Sequence, residues 1–367
     1  ASAEALFERG KIADAAIIAS MDKDHFAQAM TALDLGYDLL LEKPISPDPK
    51  ECLMIERKAA QAGRRVAVCH VLRYAPFFMA LKALIDGGEL GRVVSIQHNE
   101  NIGNWHMAHS FVRGNWRNSA VSSPIIMQKS CHDMDLLVWL TGSRAGKLSS
   151  FGDLHYFKEE NAPKGSGERC LFCKVADSCR FDARKMYLPL AGSWPSAMLS
   201  LDQSEDGLLE ALRTGPYGRC VYRCDNNVCD HQVMNILFEN GITATFNLSA
   251  FTNRMARTMK IMCEDGEIRA SEHENRIEVI RFAPHSRAPE ELRVIEPAGV
   301  DGGHGGGDAG LMNAFFRMLK STDAQLETLI SRSVESHYMA AAAEEARLSG
   351  QMVDMDRYRN SLMEVQP

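Results

Sequence analysis

The sequence lacks several features that would point to a membrane, secretion or nucleic acid. No apolar run approaches the roughly 20 residues needed to span a bilayer. The opening ASAEALFERG has no basic stretch followed by an apolar one, so it does not read as a signal peptide. There is no excess of positive charge. At a net charge of -7, nothing favours nucleic acid or an anionic membrane as a partner. There is no internal repeat, and no low-complexity tract beyond Gly302–Gly307. Ten cysteines are present without a secretory signal, which argues for free thiols or metal ligands over a disulfide framework. A reducing cytoplasm is the default location. What remains is an ordinary globular composition, 45% hydrophobic and 24% charged, over 367 residues, enough for two domains.

The first third alternates strand and helix. Ala15–Ala19 and Tyr37–Leu41 read as buried strands, and Arg65–Val71 as a third. Asp22 or Asp24 is expected to cap the helix that carries His25, and Gly36 ends it. Pro47-Asp48-Pro49 opens a second helix, stopped by Gly63. This βαβαβ order predicts a parallel sheet with right-handed crossovers. After Pro76 come a helix to Ile85, a strand over Val93–Gln97, a polar, aromatic-rich loop over Asn99–Ser123 and a helix over Cys131–Leu140. From about Asp230 the chain reads as antiparallel. One hairpin turns at Glu239-Asn240-Gly241 and another at Asp265-Gly266. Ala244, Phe246, Leu248 and Ala250 form one buried face, and Thr243, Thr245, Asn247 and Ser249 a polar one. Helices return over Asp308–Lys320 and Ser333–Ser349.

The second strand delivers Glu42-Lys43-Pro44 to its carboxyl end, where the ligand crevice of an open α/β sheet lies. A dinucleotide fold of this kind normally begins with a strand, a G-x-G-x-x-G turn and a helix. The start of this chain has no such turn. The expectation is that roughly 60–70 residues, about two βα units, precede what is given.

Glu42-Lys43-Pro44 is preceded by Ser20-Met21-Asp22 and His25 and followed by Arg73-Tyr74-Ala75-Pro76. Together with Cys131-His132-Asp133-Met134-Asp135-Leu136, Trp139-Leu140 and Gly142, it resembles the Gfo/Idh/MocA oxidoreductase family over nearly the whole chain. The resemblance implies an α/β protein: a Rossmann-like parallel-sheet domain, its N-terminal part missing, and an α/β domain with a large, mainly antiparallel open sheet. The implied division is 1–74 for a partial dinucleotide-binding domain and 75–330 for a substrate-binding and oligomerisation domain. Helices in 331–350 would pack back on the first. The implied activity is hydride transfer between NAD or NADP and a secondary hydroxyl of a sugar, cyclitol or related polyol. A small-molecule carbohydrate is then the partner, and a homo-oligomer the expected assembly. Ser20, Met21, His25, Glu42, Lys43 and Pro44 would border the cofactor. The family's aspartate four residues before the histidine is replaced here by Gln128, with Lys129 beside it. This is similar to a sub-branch with a Lys-Ser-Cys-His-Asp run. The proton-relay partner is then Lys43, Lys129 or neither.

The chemistry needs a base for the hydroxyl proton, and an imidazole suits that role. His132 falls in the first turn of its helix, where partial positive charge favours the neutral ring. Lys43 would steady developing alkoxide charge, and Lys129 would be a second cation. Asp133 and Asp135 are expected to complement the helix N-terminus. The loop Trp105–Arg117 is dense in rings and donors, as a sugar site requires. His106, Trp116 and Arg117 are its candidate contacts, joined by Arg73 and by His304 in the glycine run. Cys170, Cys173 and Cys179 look like three thiolate ligands in a loop, with Cys220 or Cys224 as a fourth. A structural zinc fits them, as does an iron–sulfur cluster. Two other readings stay open: an NAD-dependent glycosidase of the same family, and a non-catalytic sugar- or protein-binding member.

Overall fold

The computed structural model describes residues 2–284, 288–299, 302–321 and 326–364. The first unit is a parallel sheet of three strands, β1 (Ala15–Ile18), β2 (Asp38–Leu41) and β3 (Val66–Val68), in the order β1-β2-β3. Every residue of β2 is buried. Leu39 and Leu41 enter the main core, and Leu40 packs on the opposite face. A parallel strand covered on both faces has to be apolar throughout. The crossover helices are His25–Asp34 and Pro49–Ala62. Asp48 caps the second, accepting from Lys50 N at 2.8 Å. Neither Asp22 nor Asp24 caps the first through its side chain. The buried Asp22 carboxylate instead accepts from Ser122 and Ser123, at 3.1 and 3.0 Å. The third strand is shorter than its sequence suggests, because the chain turns at His70 into a short 3-10 helix, Val71–Tyr74.

The second unit is a nine-stranded sheet. Its strands are β4 (Val93–Asn101), β5 (Ala145–Asp153), β6 (His231–Phe238), β7 (Thr243–Ser249), β8 (Ala256–Cys263), β9 (Gly266–Ser271), β10 (Arg276–Arg281), β11 (Glu291–Ile295) and β12 (Val353–Asp354). Their order is β11-β10-β9-β8-β4-β7-β6-β5-β12. Both expected hairpins are present, as β6–β7 and β8–β9. In β7 the inward face is Ala244, Phe246 and Leu248, as the alternation predicts. One central pairing departs from the antiparallel pattern: β4 runs parallel to β7 and antiparallel to β8. β5 has no clean apolar alternation, and Gly152 is one reason. A Cβ there would lie 2.6 Å from the His231 carbonyl on β6, so close strand pairing excludes a side chain.

The expected loop after Gln97 is largely regular. β4 continues to Asn101, followed by a helical turn, Asn104–His106, and a π-helical segment, Met107–Arg113. All of Met107–Arg113 is buried, including His109, Ser110 and Arg113, so its polar sequence disguises an interior element. The helix Gly307–Lys320 covers the outer face of the parallel sheet through Leu311, Ala314, Phe315 and Met318. The glycine run makes that approach close. A Cβ on Gly307 would collide with the Val71 carbonyl, and one on Gly310 would lie 2.7 Å from Tyr74 Cβ. The long helix Ile330–Ser349 buries Met339, Ala340, Ala342, Ala343 and Ala346. It packs against the helix Pro49–Ala62 of the first unit and against β5 and the helix Cys131–Thr141 of the second.

Candidate active site

Two helical positions two apart point about 200° from each other, since each residue turns the helix by about 100°. Asp133 and Asp135 use that geometry. In the helix Cys131–Thr141, Asp133 faces the large sheet, 2.7 Å from His98 Nε2 on β4 and 2.7 Å from Arg257 Nε on β8. Asp135 faces the first unit. It accepts two hydrogen bonds from Arg73, each 2.7 Å, and lies 2.8 Å from His70 Nδ1, off the line of a hydrogen bond. Burial raises both carboxyls, but their neighbours win. Arg257 and His98 hold Asp133 well below the usual range, and Arg73 and His70 hold Asp135 at about 2. These aspartates do not simply complement the helix end. They clamp the helix between both units and set His132 in the seam.

His132 is 4% exposed. Burial first, then the nearby Lys43 charge, pushes its pKa well below the ordinary histidine value. Its ring lies 5.8 Å from that of His70 and 5.9 Å from that of His304. Lys43 reaches the same place from the carboxyl end of β2, and its Nζ donates to the Gln128 carbonyl at 2.9 Å. Lys129 Nζ stands 3.4 Å from Glu100 Oε1, and Arg257 Nη2 2.8 Å from Glu100 Oε2. Glu100 is pushed up by its burial, against the pull of these two cations. His106 is lowered to about 3, by burial and then by Lys129. His304 sits at φ +51 with Nδ1 2.8 Å from Asp308 Oδ1. Lys43, Lys129, His106, His132 and His304 therefore share one neighbourhood.

The other sequence candidates have the following surroundings within the protein. Arg73, expected at the substrate, has all three guanidinium nitrogens engaged inside the protein, by Asp135 and the Glu327 carbonyl. Arg117 pairs with Asp225 at 2.7 Å and with the Gly114 carbonyl at 3.1 Å, which ties it to the 154–230 segment. Trp116 packs on the main core with its Nε1 unpartnered. His25 points its two ring nitrogens at the Pro44 and Ser20 carbonyls, 2.8 and 3.2 Å away. It thus braces the backbone on either side of the crevice. Glu42 accepts from the Lys43 amide at 3.1 Å, and Ser20 donates to Gln28. The peptide bond between Lys43 and Pro44 is cis.

The sequence reading missed His70 and His337. His70 follows β3 at its carboxyl end, and the crevice rule that selected Lys43 would have found it. His337 lies mid-helix, and no pattern marks it. Its Nε2 accepts from the Ile45 amide at 2.8 Å, which leaves Nδ1 as the protonated nitrogen, facing the Ser333 carbonyl at 3.3 Å. His70, Cys131 and His337 bring ligand-type atoms within 4.8 Å of one another. Both nitrogens of His337 are committed, however, and burial pushes the Cys131 thiol up to about 12. His337 thus serves as a packed hydrogen-bonding part, while both His70 nitrogens lack a hydrogen-bond partner. A cavity of about 1150 Å³ is lined by Trp139, Arg144, Glu335 and Arg359 among others and includes neither Lys43 nor His132.

Two family models match the chain. The NAD-binding Rossmann fold of the Gfo/Idh/MocA oxidoreductases covers 1–70, and the C-terminal alpha/beta domain of that family covers 82–355. YteT of Bacillus subtilis (strain 168), named as an oxidoreductase, is 26% identical over 83% of this chain and 72% of its own length. Inositol 2-dehydrogenase 4 of Saccharopolyspora erythraea is 28% identical over 41% of each, so the chain aligns with under half of that relative. Among solved structures, an oxidoreductase from Agrobacterium radiobacter in complex with NAD+, L-tartaric acid and magnesium matches with a TM-score of 0.67 at 15% identity. That match covers 97% of this chain and 84% of the other. Levoglucosan dehydrogenase in complex with NADH matches with a TM-score of 0.65 at 15% identity, over 93% and 80%. At such identities the likeness is one of fold.

Fold and family models together define an NAD-dependent oxidoreductase. The chain belongs to the Gfo/Idh/MocA family, and NAD or NADP is its cofactor. The residues present fit the reactive end of that cofactor. Several buried polar atoms of this neighbourhood lack partners: His132 Nδ1 and His106 Nδ1, which feel the Lys43 charge, Gln128 Oε1 on the residue whose carbonyl Lys43 bonds, and His70 Nε2 on the ring beside His132. Such orphans mark a place where a ligand completes the hydrogen bonding.

Proposed function

We propose that this protein oxidises a secondary hydroxyl of a sugar, cyclitol or related polyol, or reduces the matching ketone. The observation that carries this reading is a buried, neutral His132 with an unpartnered ring nitrogen beside Lys43. Bound NAD(P) supplies the hydride acceptor or donor. Ser20, Met21, Glu42, Lys43 and Pro44, at the carboxyl ends of β1 and β2, border it, with His25 bracing the turn. In the oxidative direction His132 takes the hydroxyl proton. The Lys43 ammonium, steadied by the Gln128 carbonyl, stabilises the charge growing on that oxygen. Lys129, His106 and His304 face the remaining hydroxyls. The dehydrogenase names of several relatives support a polyol substrate. The domain division that goes with this reading is 1–74 and 75–330.

The test is turnover by the purified protein with NAD and NADP against a panel of cyclitols and sugars. His132→Ala is expected to lower kcat by about 10²–10⁴-fold while nucleotide binding persists. Near-full activity in that variant refutes the assignment. Glycoside cleavage without net NADH would instead favour the transient-oxidation glycosidase.

A further inference from the structure

The segment 154–230, between β5 and β6, holds little regular structure beyond two helices, Ala183–Tyr187 and Glu205–Thr214, and several short turns. Five of the ten cysteines lie in its ordered turns, at 170, 173, 179, 220 and 224, with Cys229 near its end. No cysteine in the chain is in a disulfide. Four of them border one void, and their sulfurs, no three of which lie within 4.8 Å of one another, would have to turn inward to share a metal. A 3-10 turn over Cys170–Phe172 precedes Cys173, and side chains three apart in such a turn lie on one side. A second 3-10 turn, Ala176–Ser178, delivers Cys179. An isolated antiparallel bridge between Arg169 and Arg219 sets Cys170 beside Cys220, and Cys220 N donates to the Glu168 carbonyl at 2.8 Å. Cys170, Cys173, Cys179 and Cys220 all line one small void, and no oxygen or nitrogen faces into it. Water has no polar partner there. Cys224 and Cys229 do not line it.

The surroundings supply a buried cation and several N–H donors. Arg113 is fully buried, and among the described residues no carboxylate pairs with it. Its bonds go to the Arg219 carbonyl at 2.8 Å, the Phe181 carbonyl at 2.7 Å, Met186 Sδ at 3.6 Å and Cys170 Sγ at 3.3 Å. A cation removed from water without a counter-charge is strongly disfavoured. The nearby Asp182 is already taken by Arg184. Gly167 N donates to Cys173 Sγ at 3.4 Å, and Arg223 Nη1 to Cys220 Sγ at 3.9 Å. Donors aimed at three of the four sulfurs are what ligating thiolates attract.

We infer that Cys170, Cys173, Cys179 and Cys220 form a four-thiolate centre for a soft transition metal, with Arg113 as its buried charge partner. Two occupants share this chemistry: a single zinc ion, or an iron–sulfur cluster. Four thiolates leave either with net negative charge, which answers Arg113. The centre would tie both arms of the 154–230 segment to the last residue of the π-helical segment that follows His106 and carries His109. It is a structural centre that holds one wall of the active site and takes no part in hydride transfer.

The experiment is metal and acid-labile sulfide analysis of the full chain, expressed with zinc and iron supplied and purified without oxygen. About one zinc per chain, or about four iron with matching sulfide and visible absorption, supports the centre and tells the two occupants apart. Cys173→Ser and Cys179→Ser are expected to lower metal content several-fold, while Cys224→Ser and Cys229→Ser leave it unchanged. Only trace metal in the unaltered chain overturns the inference, whether or not any variant folds. Equal loss in all four variants would also overturn it.

Discussion

At the residue scale, His132 owes its chemistry to its surroundings. A histidine in water is half-charged near pH 6.5, but burial and the Lys43 charge keep this one neutral well below that. The proposed base is therefore competent across the neutral and mildly acidic range. The acid limb of a kcat/KM profile is expected below pH 6.5, and a limb at or above 6.5 would contradict the lowered pKa. The clamp beneath it is testable apart from catalysis. Asp135→Asn leaves the Arg73 guanidinium buried without its charge partner, so unfolding by urea should show a loss of about 3–5 kcal/mol. A loss under 1 kcal/mol would mean that solvent already reaches this pair. Sequence alone exposed Lys43, His132 and the lysine next to Gln128, because they sit in short recognisable runs. It could not expose the partners of Asp133 and Asp135. His98, Arg257 and Arg73 lie far off in sequence and meet the helix only once two sheets are folded around it.

At the element scale, periodicity found the strands and helices that have one wet face and missed those that have none. β7 alternates, and its inward residues were legible. The stretch Met107–Arg113 looks like a polar loop, yet it is interior, because its polar groups find partners in other interior parts. His109 Nδ1, for instance, lies 3.0 Å from the Tyr187 hydroxyl. A π-helical segment is a frequent feature of functional sites, and this one follows directly on His106. The glycine run reads as a flexible linker or a ligand loop, whereas its last glycine is a contact point for the helix on the 71–74 turn. Gly307→Ala is expected to cost about 1–3 kcal/mol by overpacking against the Val71 carbonyl. The comparison is with Gly299→Ala, whose Cβ meets nothing within 4 Å. Equal stabilities in thermal melts would show that the helix can shift.

At the scale of the whole molecule, the seam between the two sheets is lined with histidines that the fold keeps uncharged. Burial holds His106 and His337 at about 3 and His109 at about 4. The unfolded chain begins to protonate these rings near pH 6.5, and the folded chain resists. Their contribution to stability is thus complete above pH 6.5 and drains away as pH falls toward 3–4, by at most about 1.4 kcal/mol per ring per pH unit. Glu335, pushed up to about 7 by burial, works in the opposite sense, as do Glu100 and Glu56, but these three are outnumbered by the four lowered rings of His106, His109, His132 and His337. Urea midpoints should therefore fall clearly between pH 7 and pH 5. A flat profile would mean that these rings are hydrated in solution. The fold class was legible because βαβ order and hairpin turns are local. The parallel seating of β4 against β7 was not, since nothing near either strand states which neighbour it will take.

The pairing of Asp153 with His231 in the β5–β6 ladder has an evolutionary side. The whole 154–230 excursion leaves and re-enters the sheet at adjacent rungs, so in topology it is only the loop of a hairpin. Its length is invisible to the ladder. Descendants of such a chain are free to lengthen, shorten or exchange this one insertion, and with it the Trp194 ring that packs on His106, while the clamp that seats His132 is inherited intact.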